Sequence, residues 1–357
     1  MNFGLVGVVI LVFLGGIGEG FAEFEETGVR NYITWDDMKV DSDKESLDFR
    51  DERNVSRIIV VDKNGRADSI TVQGAIDLVP HNNSQRVKIY IRPGIYREKV
   101  FVPFSKPYIS FIGDQNRTSD TIITWNNKAS DKDDHGCELG TYRSASVSIE
   151  SDYFCATGIT FENSVVAVPG GYGMQAVALR ISGDKAMFYR VRVLGTQDTL
   201  LDDTGSHYFY QSYIQGSVDF IFGNSRSLYQ ECVLHSIAER FGAIAAHHRD
   251  SAEDDTGFSF IDCKINGSGM VYLGRAWGNY SRAIYSFCDI DNIITPSGWS
   301  DWNHPSRQMT AVFGEYKCRG RGANGRNRVS WAKSFSHDEI SPFLDMKFIG
   351  GEQWLKL

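Results

Sequence analysis

Helical spacing of apolar residues is clear at one place in the chain. Val72, Ala75, Ile76 and Val79 recur at i, i+3, i+4 and i+7, and Pro80 stops the run, which predicts one short amphipathic helix. Elsewhere, almost to the C-terminus, the apolar residues fall in short β-rich runs. Arg57 to Val61 reads as a buried strand, and Lys88 to Ile91, Tyr108 to Ile112 and Thr121 to Trp125 follow the same pattern.

The runs repeat. The window Phe188-Tyr-Arg-Val191-Arg-Val193 has counterparts beginning at Phe209, Tyr229, Phe260 and Tyr285, and Phe154 to Ile159 fits upstream. Each window carries a small or β-branched residue, one intervening residue, then Ile, Val or Leu. Successive windows lie 34, 21, 20, 31 and 25 residues apart. Self-similarity at this period marks a stacked solenoid, in which each unit buries its apolar side against its neighbours. Strand-rich turns without intervening helices fit an all-β, right-handed, single-stranded parallel β-helix better than a βαβ sheet. A sandwich or propeller is the competing architecture, but a hairpin signal such as Asn-Gly does not recur from window to window. Stacking would also put Cys232, Cys263 and Cys288 in one column, at the Cα separation a disulfide requires. Spacing does not decide which two pair, and buried free thiols are the alternative.

Composition narrows the class. With 42% hydrophobic and 23% charged residues among 357, the chain is neither disordered, collagenous nor a coiled coil. The net charge of −8 is concentrated at the start: residues 23–56 carry −6, and 57–357 only −1. A nucleic-acid partner held by a basic surface is therefore not expected. Residues 1–22 read as a secretory signal peptide, with an apolar run from Phe3 to Leu14 and small residues Gly20 and Ala22 before the cleavage point. That run is too short to span a bilayer, which takes about 20 apolar residues. Residues 23–56 read as an acidic, mobile leader, and 57–357 as the β-helix domain. The sequons at Asn54, Asn82, Asn116, Asn266 and Asn279 suit a secreted glycoprotein. The six cysteines lack zinc spacing and the tandem His247-His248 alone is a poor ligand set, so no metal or other cofactor is expected.

Three consecutive segments set polar groups inside apolar runs: Gly173 to Arg180 with Gln175, Gly195 to Leu200 with Gln197 and Asp198, and Gly216 to Asn224 with Asp219. Asp198 and Asp219 are 21 residues apart, one turn of the repeat. Two carboxyls on adjacent coils do not both ionise cheaply, so one keeps its proton. The ionised one can attack and the protonated one can feed a leaving group. Gln175 and Gln197 offer amide donors to a developing oxyanion. Arg275 can hold one carboxylate in a two-pronged contact, and Trp277, two residues on, shares its strand face.

The strings Gly-Met-Gln-Ala-Val-Ala-Leu-Arg (173–180), Gln-Asp-Thr-Leu (197–200), Gly-Ser-Val-Asp-Phe-Ile-Phe-Gly-Asn (216–224) and Leu-Gly-Arg-Ala-Trp (273–277), with Gly94 to Glu98 upstream, resemble the signature segments of plant pectinesterases, the pectin methylesterases of the cell wall. The resemblance covers about residues 57–357. It implies a parallel β-helix that hydrolyses methyl esters of homogalacturonan to carboxylate and methanol without a metal. By motif, Asp219 is similar to the nucleophile, Asp198 to the acid and base, and Gln197 to the main oxyanion donor with Gln175 beside it. Arg275 resembles the anchor of the nucleophile, Trp277 the aromatic lining of the sugar site, and Thr141 a substrate-contacting threonine. The resemblance also implies a Cys232–Cys263 disulfide, a monomer, a secreted location in the wall, and a proteinaceous pectinesterase inhibitor as partner. The short leader matches the form without an N-terminal inhibitor-like region.

The chain departs from the family pattern at Thr196 and Leu201, where tyrosines are common, and at Ala276, where proline is common. The departures leave the catalytic groups in place and bear on sugar affinity. A second disulfide seen in relatives is missing at both ends, Val191 and Ser212. Two other readings compete. One is another pectin-active β-helix enzyme: a polygalacturonase would need an acid and a base, for which Asp202-Asp203 is the available pair, although its place before Gly205 reads as an exposed polar turn, and a lyase would want a calcium cage of carboxylates, which does not assemble around Arg275. A non-catalytic wall-binding β-helix would have no need of the paired acid and nucleophile.

Overall fold

The computed structural model describes residues 30–40, 56–168 and 170–357. The expected signal peptide and the leader residues 23–29 and 41–55, Asn54 among them, lie outside these. The chain winds through three strand positions per coil. One coil runs Ala186–Tyr189, Arg192–Leu194 and Leu200–Asp202, and the next begins at Ser206–Tyr210. Each strand pairs in parallel with its equivalent one coil away, as Phe188 with Phe209, Val193 with Ile214, and Leu200 with Ile221. The first positions make a 10-stranded sheet. The second and third make one 14-stranded sheet, because Val233–His247 and Lys264–Ala276 cross the corner between them as continuous strands. This is a parallel β-helix, as the repeat requires.

The repeating window is a corner rather than a strand. Its third residue, at Arg190, Gln211, Glu231, Asp262 and Phe287, has φ between 48° and 59°, the left-handed region. The cost of that conformation is offset by regular hydrogen bonding: the amide of Arg190 donates to Tyr210 O at 3.0 Å, and Gln211 to Gln230 O at 3.0 Å. The first residue of each window points inward. Phe188, Phe209, Tyr229, Phe260 and Tyr285 form a stack with centroids 4.7, 4.7, 4.8 and 4.4 Å apart. All five are fully buried. Such contacts add about 0.5–1.5 kcal/mol per pair beyond the area they bury.

The upstream window is out of register with the pairing. Phe188 pairs with Ala156, not Phe154, so Gly158 takes the left-handed corner that Arg190 takes one coil later. A slip of two residues keeps the same side chains inside, so alternation alone cannot detect it.

The expected helix forms as Val72–Asp77, with Thr71 Oγ1 accepting from Gly74 N at 3.0 Å at its start. Val72, Ala75, Ile76 and Val79 are buried. The leader differs from expectation. Ile33–Thr34 pairs with Leu355–Lys356, and Ile33 and Met38 are fully buried in a cluster with Phe348, Ile349 and Trp354. Asp37, also buried, takes Arg30 in a two-oxygen contact at 2.5 and 2.6 Å. Residues 30–40 are thus part of the body, because two apolar anchors and one ion pair suffice once the C-terminal segment offers them a surface. Among the described residues, no helix is long and apolar enough to cross a membrane.

Candidate active site

The third strand position carries the chemistry. Leu179, Leu200 and Ile221 point inward in register, and the neighbours Arg180, Leu201, Phe222, Ala246 and Arg275 form the outward row. Just before these strands the chain turns in from the second face. Gln197 bridges to Val218, and the amide of Asp198 donates to Val218 O at 3.0 Å. Asp198 and Asp219 therefore occupy equivalent places on adjacent coils. Both have left-handed backbones, at φ 59° and 47°. A non-glycine residue in that region is strained, and aspartate tolerates it better than most. Gly216 permits the turn: a Cβ there would lie 2.2 Å from Phe220 Cβ.

Arg275 reaches Asp219 from two coils further on. Its Nε donates to Oδ1 at 2.8 Å and its Nη2 donates to Oδ2. The guanidinium lies 3.7 Å over the Trp302 ring, which fixes its plane. Burial pushes the Asp219 carboxyl above its ordinary range, and the hydrogen bonds and charge of Arg275 pull against that rise. Asp198 is raised well above the ordinary range, first by burial and then by the Asp219 charge, with Arg275 opposing weakly. The environment thus separates the pair: Asp198 keeps a proton under conditions that ionise Asp219.

The remaining expected residues divide into those at the pair and those beside it. Gln197 immediately precedes Asp198. Gln175 lies one coil up, where the amide of Ala176 donates to Gln197 O at 3.0 Å, and its Oε1 is buried without a hydrogen-bond partner. Trp277 is 37% exposed and meets the edge of His248 at 4.5 Å and Phe222 at 6.0 Å. Thr141 sits in the short helix Gly140–Arg143, whose Tyr142 covers the Arg180 guanidinium at 3.7 Å. That helix flanks the outward row rather than the carboxyl pair.

Trp302 and the place of His248 in the site carry no signal in the sequence reading. Trp302 follows the strand Trp299–Ser300 and lies in a left-handed turn, so strand periodicity does not put it on the Arg275 face. His248, at the edge of Trp277, lacks a derivable role in sequence because its neighbour His247 is buried against Phe258 instead. Leu201 is 5% exposed and packs with Val177, Phe222 and Ala246, so it forms the floor of the row.

The Asp202-Asp203 pair needs correction. Asp202 is not in an exposed turn: it is fully buried inside the coil, 2.5 Å from His207 Nδ1 and 2.5 Å from the Tyr229 hydroxyl. It cannot meet a polysaccharide. Alternation explains this, since Leu200 points in, Leu201 out, and Asp202 in again. The cysteine column forms as expected, but Cys232, Cys263 and Cys288 are free thiols in this structure, so the Cys232–Cys263 bridge is not made here. Of the sequons, Asn82, Asn116 and Asn279 are exposed, and half-buried Asn266 bonds His235 Nδ1 at 2.7 Å.

Comparison with known proteins gives the family. A sequence profile of the pectinesterase family matches residues 58–352. The chain is 63% identical to Pectinesterase QRT1 of Arabidopsis thaliana, over 92% of this chain and 91% of that protein. It is 41% identical to Putative pectinesterase 11 of the same plant, over 87% and 83%. The solved pectin methylesterase from carrot superposes with a TM-score of 0.78 at 33% identity, covering 84% of this chain and 95% of that one. The chain belongs to the pectinesterase family and is a carboxylic ester hydrolase acting on pectin.

Proposed function

We propose that Asp219 is the nucleophile and Asp198 the acid and base of methyl-ester hydrolysis on cell-wall homogalacturonan. The observation that carries the assignment is the contrast between the two carboxyls on adjacent coils, one gripped by Arg275 and the other buried beside its charge. A carboxylate oxygen of Asp219 adds to the ester carbonyl carbon. Amide N–H groups of Gln197 and Gln175 meet the oxyanion. Collapse breaks the bond to the methoxy oxygen, which takes the Asp198 proton and leaves as methanol, with the galacturonate acyl group held on Asp219. Asp198, now a carboxylate, takes a proton from water as its oxygen attacks the acyl carbon. Asp219 departs as carboxylate, and the uronic acid releases its own proton to solvent. Trp277 and His248 wall the sugar site, and Thr141 borders it.

The same reading includes secretion to the wall, glycosylation at the exposed sequons, action as a monomer, and sensitivity to a proteinaceous pectinesterase inhibitor. The test is product analysis on highly methylesterified pectin. Methanol release with chain length unchanged supports the proposal. Chain shortening without methanol, or binding without either product, overturns it.

A further inference from the structure

The cysteine column is longer than the sequence windows suggest. Gln230 pairs with Ile261 and Val233 with Lys264, Ile261 with Ser286 and Lys264 with Asp289, Ser286 with Tyr316 and Asp289 with Arg319. The residues two inside each bracket, Cys232, Cys263, Cys288 and Cys318, are therefore in register on four consecutive coils. Each thiol donates to a carbonyl one coil back: Phe209 O at 3.5 Å, Tyr229 O at 3.4 Å, Phe260 O at 3.5 Å and Tyr285 O at 3.3 Å. The four side chains thus share one orientation. Neighbouring coils stack about 4.8 Å apart, inside the Cα range of about 4.4–6.8 Å that a disulfide accepts.

Exposure differs along the column. Cys232, Cys263 and Cys288 are closed off from solvent, while Cys318 is partly exposed. The far end is closed chemically as well, since the next place up the column is Ser212.

We infer that the column is a disulfide-exchange relay that takes oxidising equivalents at Cys318, delivers them to the Cys232–Cys263 bridge that the family resemblance implies, and ends with a second bridge, Cys288–Cys318. The Cys318 thiolate attacks a small-molecule disulfide, forming a mixed disulfide and expelling one thiolate. Cys288 displaces the second, and the Cys288–Cys318 bridge forms. Cys263 then attacks Cys288 and frees Cys318, and Cys232 attacks Cys263 and frees Cys288. Cys318 takes a second donor molecule and Cys288 resolves it. Four protein thiols and two donor disulfides become two bridges and four small thiols. Displacement at sulfur runs along the S–S axis, so stacked side chains of one orientation are well placed to pass the bond along.

The end state follows from the same geometry. A central Cys263–Cys288 bridge is flanked by an attacking thiol on each side and is consumed by either. With both outer bridges closed, no thiol of the column is left to attack. Cys232 and Cys318 are three coils apart, roughly 14 Å, and cannot bridge each other.

The test uses the folded, fully reduced chain carrying Cys137→Ser, which removes the exposed thiol outside the column. Glutathione disulfide is added, time points are alkylated, and bridges are mapped by mass spectrometry without reduction. The relay predicts Cys232–Cys263 and Cys288–Cys318 as end products, with Cys155 free. Adding Cys318→Ser should slow Cys232–Cys263 formation by about tenfold or more, because the remaining thiols are buried. If that variant does not fold, iodoacetamide blocking of Cys318 in the folded parent replaces it. A stable Cys263–Cys288 bridge, a column that resists oxidation, or undiminished Cys232–Cys263 formation with Cys318 blocked would overturn the inference.

Discussion

Arg275 gives two guanidinium nitrogens to Asp219 across two coils, and the face of Trp302 holds that guanidinium from the other side. The arrangement couples charge to orientation, because the planar fork can satisfy both carboxylate oxygens only in one pose. Arg275→Gln removes the charge and one prong. Methanol release should fall by about 100-fold in kcat, with the acid limb of the rate profile moved to higher pH. An unchanged acid limb would mean that Arg275 does not tune Asp219.

The pH–rate profile of the native enzyme should be bell-shaped. Turnover needs Asp219 ionised, and burial raises its pKa, so activity declines on the acid side already above the ordinary carboxylate range. It also needs Asp198 protonated, which is raised well above that range, so activity declines again at higher pH. The two limbs belong to the coupled pair rather than to single residues. Asp198→Asn should remove the alkaline limb and lower kcat by about 100-fold or more. Steady-state rates across pH check both points.

Beneath the site, Asp202, His207 and Tyr229 form a buried ionic cluster tied to Gly183 O by His207 Nε2 at 2.8 Å. Burial alone would raise the Asp202 pKa, but His207, Ser227 and Tyr229 outweigh it and hold it low. Burial alone would lower that of His207, but Asp202 and the Gly183 carbonyl outweigh it and hold it high. Because the folded His207 pKa is raised, its contribution is full below the ordinary histidine range and is lost as pH rises through the raised value. Because the Asp202 pKa is lowered, its contribution is present above the ordinary carboxylate range and lost as pH falls through the lowered value. Removing one partner strands a buried charge, so Asp202→Asn should cost about 3–5 kcal/mol of stability. His207→Gln should lose the alkaline decline in melting temperature that the native chain shows.

The inward aromatic stack is a core whose loss is easily measured. Phe209 lies 4.7 Å from both Phe188 and Tyr229. Phe209→Ala opens a cavity between two coils and should destabilise the protein by about 3–5 kcal/mol. Chemical denaturation of the purified variant reads this directly.

Much of this was legible in the chain. The windows at Phe188, Phe209, Tyr229, Phe260 and Tyr285 gave the stacking register, because aromatic size and alternation recur together wherever coils superpose. The same signal failed at Phe154, where a two-residue slip leaves the inside pattern intact. Asp198 and Asp219 stand out in the sequence because one repeat separates them and both interrupt apolar runs. Trp302 does not, since its place over Arg275 depends on a turn beyond the strand. Asp202 is misleading in the sequence because a polar pair before glycine suggests a turn, while its partners His207 and Tyr229 are supplied by the fold. The inward face of Ile33 and Met38 likewise needed the C-terminal strand Leu355–Lys356 as partner.

The central claim is that the Asp219 carboxylate performs the ester cleavage. Methanol release from highly methylesterified pectin, measured for the native chain and for Asp219→Asn with equal folded content, tests it most directly. The account predicts release by the native chain and a loss of about 1,000-fold or more in the variant. Methanol release by Asp219→Asn at the native rate would contradict it.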